Sequence, residues 1–318
     1  MAELKPKVSI IGCGNVGIRY AYSLMISGLA RRIMLVDRNM KRAEGEAMDL
    51  SHGAPYTAPV EIAAGDYPDI KDSDLVVITA GKKQLPGQTR IDLVKDNVEV
   101  FKSLIPEVVK NAPDALLLIV SNPVDILAYA AQKISGKPAN KVIGSGTVLD
   151  SARLRYLISK HCGIDPHNVH AYVLGEHGDT EFPAWSKSMI GGMALDQYCP
   201  FCKRSKTCNH EQELNGLFTE VRDSAYKIIE KKGETSYGIG LALTRITRAI
   251  LRDENAVLPV SSLINDYFGV NDVYLSMPAI VNGSGVRELL KLDLNEAEQK
   301  AMKSSADTLK AVIAQSGL

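Results

Sequence analysis

Hydrophobic positions in the first half of the chain switch between two rhythms. Short β-branched runs predict strands at 7–11, 32–36, 75–79, 115–120 and 141–143. Two of them, within Asp74-Leu-Val-Val-Ile-Thr and Ala115-Leu-Leu-Leu-Ile-Val, are continuously apolar rather than alternating. A strand has that pattern when helices cover both faces of its sheet. Between the runs lie amphipathic stretches. In 98–111, Val98, Phe101, Leu104, Ile105 and Val108 recur near the 3.6-residue helical period. Strand–helix–strand alternation predicts an α/β fold with a parallel, doubly wound sheet.

The second half is organised differently. A helix is expected from near Asp150, then a polar, glycine-rich middle, then a strongly helical segment over 211–232. Strand-like stretches follow at 256–263 and 273–281. A terminal helix opens on Asn295-x-x-Glu298, a capping-box pattern, and should stop at Gly317. Its Ala301, Met302, Leu309, Val312 and Ile313 form one apolar stripe, which is a packing face. No repeat, low-complexity tract or flexible linker interrupts the chain. Two closely packed halves are expected: a doubly wound unit over 1–145 and an α+β unit over 146–318.

Composition narrows the classes. The 318 residues are 45% hydrophobic and 23% charged, globular values that exclude wholesale disorder. Lysine plus arginine and aspartate plus glutamate both number 37, so the basic surplus of a nucleic-acid binder is missing. The longest uncharged stretch, 273–286, has 14 residues and includes Pro278 and two glycines. That falls short of the ~20 apolar residues of a membrane span. The opening residues carry both charges and lead straight into a strand, without an apolar signal core. Five cysteines, an odd number, fit free thiols in a reducing compartment, so a cytoplasmic location is expected.

Gly12-Cys-Gly14-Asn-Val-Gly17 joins the first strand to a helix. Gly12 permits the tight turn, Gly14 lets a pyrophosphate approach the backbone, and Gly17 lets helix and strand pack closely. Alone the pattern is weak. The second strand strengthens it by ending at Asp37, twenty residues after Gly17. A carboxylate there accepts hydrogen bonds from a ribose 2′-hydroxyl and repels a 2′-phosphate, which points to NAD rather than NADP. Arg38 works against that repulsion.

Five further motifs carry chemistry. Gly175-Glu-His177-Gly-Asp179 sets a histidine, suited to proton transfer at neutral pH, between glycines and acids. Gly144-Ser-Gly-Thr-Val-Leu-Asp150-Ser-Ala-Arg153-Leu-Arg155 puts Asp150 and Arg153 three apart at a helix start, on one face. Gly81-Lys-Lys-Gln84-Leu-Pro86-Gly87-Gln-Thr-Arg90 follows the strand at 75–79, so it leaves the carboxyl edge of the sheet, where dinucleotide enzymes bind substrate. Val120-Ser-Asn122-Pro123-Val-Asp125 and Lys232-Gly-Glu-Thr235-Ser-Tyr-Gly238 stand alongside them.

With these motifs in order, the chain resembles the NAD-dependent 2-hydroxy-acid dehydrogenases of the lactate/malate type over essentially its whole length. The resemblance implies a Rossmann-type sheet and an NAD cofactor. It implies His177 as acid/base, Asp150 as its orienting carboxylate and Arg153 as the clamp on the substrate carboxylate. Arg90 becomes the carbonyl polariser on a mobile loop, and Asn122 and Thr235 line the site, Asn122 on the nicotinamide side. A homo-oligomer is also implied, a tetramer ahead of a dimer.

Substrate choice turns on Gln84. The malate branch carries an arginine there, which meets the second carboxylate of oxaloacetate. A neutral glutamine should reject dicarboxylates and accept the methyl of pyruvate, because a buried unpaired carboxylate is costly. Glu176 and the string from Val120 also look like the lactate branch. Hydride transfer between NADH and pyruvate is the expected reaction. Oxaloacetate and malate are the alternative, since Lys82 or Lys83 offers a substitute charge.

Arg155 lies two helical steps, ~200°, from Arg153 and should face away from substrate. His170 is a second spare cation. Bacterial lactate dehydrogenases regulated by fructose 1,6-bisphosphate have an arginine and a histidine at these positions, forming a phosphate site between subunits. The plainer alternative is a salt bridge or solvated surface. Cys199-Pro-Phe-Cys202 with Cys208 and His210 offers four zinc-type ligands in twelve residues, but its second half is tight. A surface loop with reduced thiols and no metal is expected. A redox-sensing NAD-binding module would not need His177, Asp150, Arg153 and Arg90 together. An NAD- and metal-dependent glycosidase would need a well-made metal site.

Overall fold

The computed structural model describes residues 5–82, 89–198 and 210–318. One nine-stranded sheet forms its centre. The parallel part comprises β1 (Lys7–Ile11), β2 (Arg32–Val36), β3 (Glu61–Gly65), β4 (Leu75–Ile78), β5 (Leu116–Ile119) and β6 (Val142–Gly144). Their spatial order is 3-2-1-4-5-6. Helices α1 (Asn15–Ser27), α2 (Met40–His52), α3 (Arg90–Asn111) and α4 (Val124–Ser135) lie between the strands. This is the doubly wound arrangement with its switch point between β1 and β4.

Consecutive residues of each central strand enter different cores. Ile11, Val76, Ile78, Leu117 and Ile119 pack on one face with Phe101 and Ile105 of α3 and Leu127 of α4. Val8, Ile10, Val77 and Leu118 pack on the other with Tyr20 and Leu24 of α1. No position on these strands points to water, which explains their continuously apolar sequence.

The second half contains α5 (Val148–Cys162), short strands β7 (Val169–His170), β8 (Val173–Leu174), β9 (Phe182–Pro183), β10 (Met189–Ile190) and β11 (Met193–Ala194), and the single turn α6 (Leu195–Tyr198). It continues with α7 (His210–Lys232), α8 (Tyr237–Leu251), β12 (Ala256–Ile264), β13 (Val273–Asn282), β14 (Gly285–Leu289) and α9 (Glu296–Ser316). Sequence patterning separates the two halves, but the backbone joins them. Antiparallel β12, β13 and β14 extend the same sheet beyond β6, with Ser261 opposite Gly144. Helix α8 returns to cover the first half: Tyr20 of α1 bonds Thr247 at 2.6 Å and Ser23 bonds Thr244 at 2.8 Å.

The terminal helix has the reciprocal Asn295/Glu298 capping box and ends on left-handed Gly317. Met302 and Leu309 are fully buried, with Ala301, Val312 and Ile313 packed at the rim. The edge strand β3 has no signature in the sequence pattern. Glu61-Ile-Ala-Ala-Gly contains four weak strand formers and is held by pairing with β2 rather than by its own propensity.

Candidate active site

Loops after β1, β4, β5 and β6 leave the same carboxyl edge of the sheet, bringing Gly12, Gly81, Asn122 and Ser145 to one side. On the β1 side, Gly14 is the N-cap of α1 and supplies no side-chain cap, so the first amides of the helix remain available to an anion. A Cβ at Gly14 would meet nothing within 4 Å, whereas one at Gly17 would collide with the Gly12 carbonyl oxygen. Gly17 thus allows the close packing and Gly14 leaves an open backbone approach. Asp37 accepts bonds from the Cys13 amide at 2.7 Å and the Asn39 amide at 2.8 Å, which fixes it beside the glycine turn. An open backbone, an uncapped helix start and an adjacent carboxylate fit a dinucleotide diphosphate with a free 2′-hydroxyl.

The second cluster forms where α5 meets the segment after β8. Asp150 lies in the first turn of α5 and Arg153 one turn later. Arg153 Nη1 stands 2.9 Å from Asp150 Oδ1, with side-chain exposures of 15% and 3%, so this is no surface ion pair. Asp150 Oδ2 accepts a hydrogen bond from Nδ1 of His177 at 2.7 Å. An ionised carboxylate only accepts, so Nδ1 carries the hydrogen and Nε2 is left for proton exchange.

Four elements hold the His177 backbone. Gly175 pairs with Ser276 of β13 through bonds of 3.0 and 2.9 Å. The Glu176 amide donates to Ser305 Oγ of α9 at 2.7 Å. The His177 amide donates to Asp125 Oδ2 of α4 at 2.8 Å, and Ser261 of β12 donates to the other Asp125 oxygen at 2.6 Å. Gly175 has φ +90°, and a Cβ there would press on Ser305 Oγ at 2.9 Å, so only glycine fits.

Burial works against a charge on the His177 ring. The Asp150 carboxylate overcomes it, with help from Glu181 and Asp125, and raises the imidazole to about 9. Burial likewise opposes the Asp150 charge, but His177 and Arg153 reverse this and hold its carboxyl below the usual range. The imidazole therefore carries its proton at neutral pH. Burial pushes Asp125 up to about 6 against the bonds from Ser261 and His177.

The structure thus joins Asp150, Arg153 and His177 directly. Asn122 is exposed just beyond β5, and Thr235 is half-buried ahead of α8; neither hydrogen-bonds to that trio. Arg90 takes the first position of α3, with its side chain outside the described residues, as are Lys83 and Gln84. Lys82 Nζ is engaged by Asp96 at 3.0 Å. Arg155 is half-buried, with its Nε enclosed and lacking a hydrogen-bond partner among the described residues, and His170 is exposed on β7. The cysteine cluster also lies outside the described residues, together with the side chain of His210.

Sequence reasoning overlooked Asn97. Fully buried in α3, it accepts from the Lys82 amide at 2.6 Å and donates to the Asn122 carbonyl at 3.0 Å, tying the loops after β4 and β5 together. Its only signal is a polar residue inside the apolar stripe of α3.

Residues 6–144 match the family model of the lactate/malate dehydrogenase NAD-binding domain, and residues 147–317 match that family's α/β C-terminal domain. The chain belongs to the lactate/malate dehydrogenase family and is an NAD-dependent enzyme. It is 52% identical over 307 residues to an L-lactate dehydrogenase of Acetivibrio thermocellus, spanning 96% of each chain. An L-lactate dehydrogenase of Priestia megaterium is 48% identical over 304 residues, covering 96% of this chain and 94% of the relative. Among solved structures, a lactate dehydrogenase from a Medee basin deep-sea metagenome library superposes with a TM-score of 0.94 at 44% identity, covering 99% of this chain and 100% of that one. The minor L-lactate dehydrogenase of Enterococcus mundtii, in a ligand-bound form, gives 0.93 at 42% identity and 97% of each chain.

Proposed function

We propose that the chain catalyses reversible hydride transfer between NADH and pyruvate, giving L-lactate. The observation that carries this reading is the His177–Asp150–Arg153 array, two part-exposed side chains joined through the buried Asp150 carboxylate, and the named relatives support it. Residues 1–145 form the cofactor half, with Gly12, Gly14, Gly17, Asp37 and Asn122 against the dinucleotide, and residues 146–318 supply the substrate half. When bound, NADH supplies the hydride. Arg153 spends one amino group on Asp150 and keeps its other donors for the two oxygens of the substrate carboxylate. His177 Nε2 donates a proton to the carbonyl oxygen as charge builds there, and Asp150 stabilises the imidazolium from the other side. In the oxidising direction the neutral imidazole removes the hydroxyl proton. Arg90 polarises the carbonyl, an effect worth ~3–4 kcal/mol in comparable oxyanion sites. Thr235 lines the pocket.

Gln84 sets the choice of pyruvate. With Lys82 already engaged by Asp96, one of the two substitute charges for a dicarboxylate is accounted for. Gln84→Arg should move relative kcat/KM toward oxaloacetate by roughly 10- to 100-fold, the worth of a charge-assisted hydrogen bond. Steady-state rates of NADH oxidation with the two keto acids test it. An unmodified enzyme that already prefers oxaloacetate would reject the assignment.

The same reading extends to a cytoplasmic homo-oligomer, a tetramer ahead of a dimer, activated by fructose 1,6-bisphosphate at Arg155 and His170. Arg155 shares α5 with Arg153, so an anion held by one biases the other, and its enclosed Nε without a partner among the described residues supports a ligand there. The bisphosphate should lower the apparent KM for pyruvate ~5-fold or more, a typical allosteric coupling. Arg155→Gln should abolish that response and spare basal turnover. Pyruvate saturation curves that superimpose with and without the bisphosphate would overturn it.

A further inference from the structure

Beside the array stands a carboxyl group that the proposed chemistry does not use. Glu181 follows His177 by four residues, directly ahead of β9, and is only 8% exposed. One of its oxygens lies within 4.8 Å of both a ring nitrogen of His177 and an oxygen of Asp150. Its amide closes a turn onto the Gly178 carbonyl, but its side chain makes no hydrogen bond among the described residues. Asp150 already fixes the tautomer and tilt of the ring, so a second carboxyl is not needed for orientation. Burial without a hydrogen bond disfavours the charged form of this carboxyl.

The charges that face Glu181 come from three segments: Asp150 and Arg153 of α5, Arg222 of α7, and His177 of its own loop. Those that face His177 are Asp150, Glu181 and Asp125 of α4. Burial and repulsion from Asp150 favour a protonated Glu181, while His177, Arg153 and Arg222 favour the anion. The carboxyl and the imidazole therefore compete for protons over overlapping pH ranges, and an ionised Glu181 strengthens the hold of His177 on its own. A glutamine has the same shape and cannot become that anion.

We propose that Glu181 is a positioning residue acting through His177, a second proton-holding group that sets the upper pH limit of the reducing direction. This rests on His177 being the proton donor to pyruvate. The test compares the unmodified enzyme with Glu181→Gln, Glu181→Ala and Glu181→Asp. In pH profiles of kcat/KM, both uncharged variants should move the alkaline limb of pyruvate reduction acidward by about one pH unit. The acid limb of lactate oxidation should move the same way, a paired shift that simple structural damage does not produce. Glu181→Asp should restore most of the original profile. Diethyl pyrocarbonate modification of His177 in the cofactor-free protein, followed by peptide mass spectrometry, should show the same displacement without relying on turnover. Superimposable profiles in both readouts for whichever uncharged variant folds would overturn the proposal. An unmodified enzyme without pyruvate activity would reject the functional reading instead, and the modification profile would still decide the role of Glu181.

Discussion

Replacing His177 with asparagine is expected to lower kcat for pyruvate reduction by ~10²–10⁴-fold, the usual contribution of a positioned general acid. The side chain is the proton source at the site, and its Nδ1 is fully committed to Asp150 at 2.7 Å. NADH affinity should change little, because Gly14, Gly17 and Asp37 follow β1 and β2, which β4 and β5 separate from β6, the strand leading into α5. Turnover measured beside a fluorescence titration of NADH separates the two effects. A variant within a few-fold of the unmodified enzyme would mean that another group supplies the proton.

Asp150→Asn should be nearly as damaging, for a different reason. The carboxylate raises His177 to about 9, so the protonated imidazole is present at neutral pH and is lost as pH rises through that value. Without the Asp150 charge, burial is opposed only by the weaker pull of Glu181 and Asp125 and returns the ring to its reference of ~6.5. At pH 7.5 at least ~10-fold of the reducing activity then disappears with the proton. The amide also donates as readily as it accepts and permits the wrong tautomer, which costs ~10⁴-fold in an analogous histidine–aspartate pair. The alkaline limb of pyruvate reduction should fall by two units or more while oxidation becomes less sensitive to acid. An unshifted limb in a folded variant would remove Asp150 from its assigned role.

Much of this site is legible in the sequence because its parts are local. Asp150 and Arg153 are one helical turn apart, and the glycine turn with Asp37 is a property of two neighbouring strands. The fully apolar runs at β4 and β5 foretell a sheet covered on both faces. What escapes is long-range. The Asp125 carboxylate that holds the His177 amide is bonded by Ser261, 136 positions away, and Ser305 reaches Glu176 across 129. Nothing in the periodicity of β12 to β14 says that β12 pairs onto β6 and the other two follow it, since antiparallel pairing is fixed by contacts between halves. Asn97 is invisible for a related reason: one polar residue does not break a strong apolar stripe. Glu181 sits among ordinary loop residues, and only burial beside His177 singles it out.

The decisive measurement follows hydride itself. Enzyme is mixed with pyruvate and NADH deuterated at both C4 positions, and the product is read by mass spectrometry. The expected result is lactate with one deuterium at C2 for each NADH oxidised, formed faster than malate is formed from oxaloacetate under the same conditions. Lactate without that deuterium, or NADH oxidised by oxaloacetate but not by pyruvate, would contradict the assignment of His177, Asp150 and Arg153 to pyruvate reduction.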